Sequence, residues 1–209
     1  MTDVDSIRYG DIKGPEAQYT KRPVRRFKDG WQDIRLPPPP KNSSVQTQLE
    51  LKQIKQAVES VTPEVQEDID GQDERLEAYF EDLLSEAGVD FSPEDIDELT
   101  SELATVCQYF KLKFDRPRPK QLFEHFGMDV PVMESEMALT PAYPSGHAFA
   151  AWFLALYFGQ KYQTLKPQLE VLAEEIGQNR IKAGVHYPSD YEAGVRLAKA
   201  VMPFFKANV

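Results

Sequence analysis

From Ser43 to the C-terminus the apolar residues recur three and four positions apart, and nowhere do they alternate over any useful length. A strand with one buried face needs a period of two and a helix one near 3.6, so this spacing restricts the chain to helices packed on helices. Local start signals agree. Thr62-Pro63-Glu64 and Ser92-Pro93-Glu94-Asp95 each set a hydroxyl cap before a proline at the first helical position, with acids following at the positive end of the helix. Val45, Leu49, Leu51, Ile54 and Val58 predict one helix. Val65, Ile69, Leu76, Phe80, Leu83 and Leu84 predict a second, stopped by Gly88. Ile96, Leu99, Leu103, Val106 and Phe110 predict a third that runs into Lys111. Further helices are expected over 145–162, 167–181 and 188–205. The fold class is therefore all-α, with residues 42–209 forming one helical bundle.

Residues 1–41 read differently. They show no helical period and end in Pro37-Pro38-Pro39-Pro40, a run that favours polyproline II and serves as a stiff spacer. The stretch from Tyr19 to Leu36 interleaves Arg22, Arg25 and Arg26 with Phe27, Trp31 and Ile34. Such an extended N-terminal arm is expected to pack on its own domain or on a neighbouring subunit, the second case giving a homo-oligomer.

Charge narrows the function classes. The chain carries a net charge of −10, but unevenly: residues 42–110 hold eighteen acids against three bases, and residues 111–209 hold twelve bases against ten acids. A general nucleic-acid binder needs a basic surface, so nucleic acid is not an expected partner. The many acids of the third helix, which starts after Ser92, are expected on a solvated face rather than on an acidic binding surface. The most apolar stretch, Ala148–Gly159, is too short to span a bilayer, and MTDVDSIRYG lacks the order of a signal peptide. A cytoplasmic protein without a membrane span is the expectation. Cys107, alone and flanked by Leu103, Val106 and Phe110, reads as a core thiol. No set of His, Cys and acidic residues stands at metal-ligand spacing, so no metal site is expected.

The basic last third contains three short segments of a different kind. The first places Lys111 seven positions before Arg118-Pro119. The second is Pro144-Ser145-Gly146-His147. In the third, five residues separate Arg180 from His186 and three separate His186 from Asp190. A phosphoryl group in transfer spreads charge over its oxygens, which calls for fixed cations and N–H donors. Lys111, Arg118 and Arg180 supply cations. Gly146 opens a helix whose first amides face an anion, with no side chain to hold it off. Ser145 either caps that helix or donates its hydroxyl to the anion. His186 and Asp190 share one face of a helical turn, and Pro188 between them requires that the helix begin there. A carboxylate on one ring nitrogen leaves the other as a nucleophile. His147 remains as acid and base for the leaving oxygen and the attacking water.

In this order and spacing the segments resemble the signature of the type-2 phosphatidic acid phosphatase superfamily, which includes class A acid phosphatases and vanadium haloperoxidases. The resemblance covers roughly residues 95–205, and its one departure is Asn179, where the family usually has Ser. It implies a helical bundle of the acid phosphatase and vanadium haloperoxidase type. It also implies a metal-independent phosphatase that hydrolyses phosphate monoesters or anhydrides through a phosphohistidine on His186. His147 and Asp190 would be its partners in catalysis, and Lys111, Arg118, Ser145, Gly146 and Arg180 its phosphate ligands. No cofactor is implied for that branch, and vanadate would inhibit it. Small soluble phosphates such as nucleotides, sugar phosphates or pyrophosphates are the expected substrates. The alternatives are a vanadium-dependent haloperoxidase, in which the same residues hold vanadate as cofactor, and a lipid phosphate phosphatase. His125 matches no motif position. Arg116, Lys120 and Lys182 flank motif residues and read either as substrate-attracting or as solvated charges. No motif lies before residue 110, so the arm is expected to stand outside the chemistry.

Overall fold

A computed structural model of the chain describes residues 3–12, 22–135 and 138–206. Among them are seven α-helices: α1 (Val45–Glu59), α2 (Pro63–Glu86), α3 (Pro93–Phe114), α4 (Pro119–His125), α5 (Gly146–Lys161), α6 (Lys166–Lys182) and α7 (Pro188–Val201), joined by loops and short 3₁₀ turns without a strand. The caps act as the sequence requires. The Thr62 and Ser92 hydroxyls accept from the amides of Val65 and Asp95, and each is followed by proline in the first turn.

The central helix is α5. Between Ala148 and Phe158 it presents no fully polar face, and a helix that is apolar all round must be enclosed by others. It packs most extensively against α6 and α7, with α3 and α2 on its other sides. Phe149, Phe153 and Leu154 meet Leu99, Leu103, Val106 and Phe110 of α3 in one continuous core.

Two sequence expectations are corrected in detail. In α1, Val45 and Leu49 are largely exposed, and the buried face is instead Thr47, Glu50, Leu51 and Ile54. That set keeps stricter helical spacing, and the reason for burying Glu50 lies in the site described below. In α2 the backbone leaves helical geometry at Arg75 (φ −154°, ψ 81°), so one periodic run is bent into two segments.

The described part of the arm lies on its own chain. Phe27 pairs with Phe205 in a two-residue antiparallel bridge and packs on Phe153, with ring centroids 5.4 and 5.6 Å apart respectively. Trp31 is buried edge-on to Tyr109 at 5.3 Å. The amides of Arg25 and Arg26 both donate to Glu102, and the Arg26 guanidinium pairs with Asp95 and Glu98. The basic arm thus covers part of the acidic face of α3, which relates the opposite charges of the two segments. The polyproline run begins at Tyr143, whose hydroxyl donates to the Pro37 carbonyl at 2.5 Å. Residues 13–21, including Tyr19 at the start of the aromatic and basic stretch, lie outside the described residues.

Candidate active site

The last turn of α3 carries Lys111 into the interior, where its ammonium donates to the Pro141 carbonyl at 2.5 Å. The chain then leaves the helix at Asp115 in the left-handed region (φ 47°), and the proline-paced Arg116-Pro-Arg118-Pro119 segment leads into α4. Proline allows few backbone conformations on either side of it, so the two arginines between and beside the prolines are held in extended geometry. Arg118 donates through Nε to the Thr140 carbonyl at 2.8 Å and through Nη1 to the Val185 carbonyl at 2.8 Å. The same Nη1 lies 3.0 Å from Nε2 of His186.

Ser145 caps α5. Its hydroxyl accepts from the Ala148 amide at 3.4 Å and is fully buried. This is the capping alternative, and it leaves the amides of Gly146 and His147 as free donors of the first turn. A Cβ on Gly146 would point toward Lys111 Cε and Cys107 Sγ, each 3.8 Å away.

The third segment folds around two glycines. Gly184 adopts a positive φ (77°) just after α6, and the resulting turn carries the chain from Arg180 to His186. Gly194 faces the start of α5, where a Cβ would stand 2.7 Å from the Ser145 carbonyl oxygen. That close crossing seats the N-terminus of α7 beside the N-terminus of α5. His186 and Asp190 meet as their spacing requires, Nδ1 to Oδ2 at 3.2 Å, and the Tyr187 amide donates to the same oxygen at 2.9 Å.

Lys111, Arg118, Gly146, His147 and His186 line one cavity of about 380 Å³, with Asp73 on its wall. Ser145, Arg180 and Asp190 are buried directly behind it. All eight residues singled out from sequence therefore converge on one place. His125 stands apart at the end of α4.

The electrostatics follow from burying like charges together. Burial and the neighbouring Arg118 lower the Lys111 ammonium to about 7. Burial lowers Arg118 to about 10. Both histidines are held well below their usual range, first by burial and then by the surrounding cations. Both imidazoles are therefore neutral near pH 7. Arginine has no acceptor, so Nε2 of His186 facing Arg118 must carry its lone pair, and the proton sits on Nδ1 toward Asp190. That is the tautomer a nitrogen nucleophile needs. The buried Cys107 thiol is pushed up to about 11 and stays protonated, as a core thiol should.

Three features of the site were not read from sequence. Arg116 is neither solvated nor open to substrate: it is buried, paired with Asp190 and Glu50, and stacked 3.8 Å over the Tyr187 ring. Glu50 of α1 also accepts from the Ser189 amide and hydroxyl. Asp73 of α2 pairs with Arg180 at 2.5 Å and comes within 3.8 Å of Nε2 of His147. Glu50 and Asp73 both come from the acid-rich stretch before the motifs, yet both are built into the site. The signal for Glu50 was its place on the 47–51–54 stripe; Asp73 carried no sequence signal.

Residues 99–208 match the model of the PAP2 superfamily, and that span contains Lys111, Arg118, the Pro144–His147 turn, Arg180, His186 and Asp190. The chain belongs to the PAP2 superfamily. It is 29% identical over 136 residues to the non-specific acid phosphatases of Salmonella typhimurium and Salmonella typhi, an overlap covering 61% of this chain and 53% of theirs. The match thus spans about half the length of these curated relatives. The fold is similar to that of a transmembrane PAP2-type phosphatidylglycerolphosphate phosphatase from Bacillus subtilis, with a TM-score of 0.51 at 20% identity, over 77% of this chain and 84% of that one. Among the described residues of this chain, no helix is long and apolar enough to cross a membrane.

Proposed function

We propose that the chain is a phosphatase that hydrolyses small phosphate monoesters or anhydrides through a phosphohistidine on His186, without a divalent metal. The observation that carries this reading is His186 itself: a neutral imidazole with its proton directed to Asp190 and its lone pair directed into a cavity walled by cations. In this reading the phosphoryl group sits against Lys111, Arg118 and the free amides of Gly146 and His147. Arg118 gives up the His186 lone pair and takes an equatorial oxygen. Nε2 then attacks phosphorus in line with the leaving oxygen, and Asp190 holds the imidazolium that forms. His147 protonates the leaving oxygen and afterwards takes a proton from the water that cleaves the phosphorus–nitrogen bond.

His147 is kept neutral first by burial and then by the surrounding cations; a dianionic substrate offsets the second of these, so binding itself raises the affinity of His147 for the proton it must donate. Arg180 enters this scheme behind the wall, held by Asp73 and by the Ile69 carbonyl, with its Nε unpaired among the described residues. Vanadate, which adopts the five-coordinate geometry of the transferring phosphorus, should bind much more tightly than phosphate.

The test is phosphate release from soluble monoesters, pyrophosphate and a detergent-dispersed lipid phosphate, by the wild type and by His186→Ala in excess chelator. The expected result is release by the wild type, a loss of at least about a thousandfold in the variant, and acid-labile, base-stable phosphate trapped on the wild type. A variant that keeps most of its activity, or hydrolysis that chelator stops and metal restores, would overturn this mechanism. Peroxide-dependent halide oxidation by vanadate-loaded protein, without phosphate release, would place the chain with the haloperoxidases.

A further inference from the structure

Resting on that reading, we infer that Gln108 and the carboxylates beyond it select the leaving group, so that the substrates are phosphomonoesters of compact polar alcohols that bear a hydrogen-bond acceptor and no second anion. Gln108 lies one turn before Lys111 on α3, lines the same cavity as Lys111 and His147, and is 3% exposed. Its Nε2 has no hydrogen-bond partner among the described residues. A buried amide donor without a partner costs free energy in the empty protein. A ligand that offers it an acceptor recovers that cost, which makes the position a reader of the ligand rather than a support of the fold.

The direction of reading follows from burial along the cavity. Lys111, Arg118 and His186 form its buried end, whereas Glu74 and Asp97 are exposed and mark its solvent side. Gln108 stands one turn of α3 from Lys111, next to the phosphate-binding end of the cavity. Past it the wall carries Glu74, Glu77 and Asp97, against which Arg75 and Arg22 are the nearby cations; Arg75 pairs with Asp97 and Glu77, and Arg22 donates to Ser101. The anion-seeking end thus gives way to a carboxylate-rich mouth. Carboxylates accept from hydroxyl or ammonium groups and repel a second phosphate. An apolar chain would satisfy neither Gln108 nor the carboxylates.

The experiment compares kcat/KM for glycerol 1-phosphate, n-propyl phosphate and pyrophosphate in the wild type, Gln108→Met and Glu74→Gln. Met keeps the volume of Gln108 and removes its donor. The wild type should prefer glycerol phosphate over both others. Gln108→Met should lose about tenfold on glycerol phosphate and stay within about twofold on propyl phosphate. Glu74→Gln, a change at an exposed position that the fold tolerates, should raise the ratio of pyrophosphate to glycerol phosphate turnover, because it removes a charge that repels the second phosphate. An equal loss on all three substrates, no loss on any, or pyrophosphate as the preferred substrate would overturn the inference while leaving the phosphatase reading intact. Absence of phosphate release from every substrate by the wild type would overturn that reading, and the inference with it.

Discussion

Arg116 and Asp190 meet in the interior, Nη1 to Oδ1 at 2.5 Å, with their side chains 2% and 0% exposed. The other carboxylate oxygen of Asp190 holds Nδ1 of His186. Arg116 therefore stands behind Asp190 and sets the orientation and charge of the carboxylate that holds His186, the proposed nucleophile. Burial pushes the Asp190 carboxyl upward, and Arg116 is the main force that opposes this. Glu50, Ser189 and the Tyr187 ring also contact the guanidinium, whose Nε has no hydrogen-bond partner among the described residues.

Removing one partner of such a buried pair leaves an uncompensated charge, which costs about 3–5 kcal/mol. Arg116→Met should therefore lower the stability of the folded protein by roughly that amount in urea unfolding, and phosphate release should fall with the misplacement of His186. Arg116→Lys should recover part of the stability, because it restores the charge without the planar fork. A loss below about 0.5 kcal/mol, typical of a surface position, would contradict the placement of Arg116.

The helices and the pocket differ in how far the sequence discloses them. Caps and periodicity mark α2 and α3 because those signals are local: Thr62, Ser92 and the 96–99–103–106–110 stripe act within one or two turns. The eight candidate residues could be singled out because their chemistry and spacing are restrictive together. Arg116 was not, since a lone arginine beside a motif looks the same whether it meets water or Glu50, a residue 66 positions away. Asp73 and Gln108 were illegible for the same reason. Their roles depend on which helices lie opposite, and on a bend at Arg75 that the apolar pattern passes straight through. In α1 the pattern itself misled, because Leu49 is apolar and exposed while Glu50 is charged and buried.

Lys111 offers a pH test. Its folded value near 7 lies below the ordinary 10.5, so below pH 7 the fold bears the full cost of a buried ammonium, and this cost is relieved as pH rises toward 10.5. An anion in the cavity favours the charged form and reverses the shift. Sulfate, which does not titrate in this range, should therefore bind with uptake of a proton at about pH 8 and lose affinity as pH rises. Calorimetry in two buffers of different ionisation heat measures the uptake. It should vanish in Lys111→Met, and an uptake that persists there would assign the proton to another group.

His147 should reveal itself through the leaving group. A nitrophenolate departs unaided as an anion, whereas an alkoxide needs a proton in the transition state. His147→Ala should thus lose about a hundredfold or more on an alkyl phosphate and far less on nitrophenyl phosphate. Equal losses on the two would remove His147 from the proton-donor role and leave it as an anion ligand at the start of α5.

The arm supplies the last prediction, which separates two ways in which it could be held. Arg26 pairs with Asp95 and Glu98, but those carboxylates are 69% and 73% exposed, and such pairs contribute about 0–1 kcal/mol. Phe27 is 3% exposed among Phe153, Phe205 and the core of α5, and truncating a buried aromatic costs about 3–5 kcal/mol. Charge explains which face of α3 the arm covers, whereas burial explains why it stays there. Phe27→Ala should therefore shift the urea midpoint by several times the shift of Arg26→Ala. Each folded variant should keep its kcat, since neither residue reaches the cavity. Removing residues 1–41 takes out Phe27 and Trp31 together, a loss comparable with the whole stability of an ordinary domain, about 5–15 kcal/mol. The truncated chain should accordingly unfold or aggregate at 37 °C, about the upper end of ordinary assay conditions, despite retaining every motif residue. A truncated protein that melts like the full chain would show that the helices close over the gap without the arm, and equal shifts for Phe27→Ala and Arg26→Ala would show that charge, not burial, holds it.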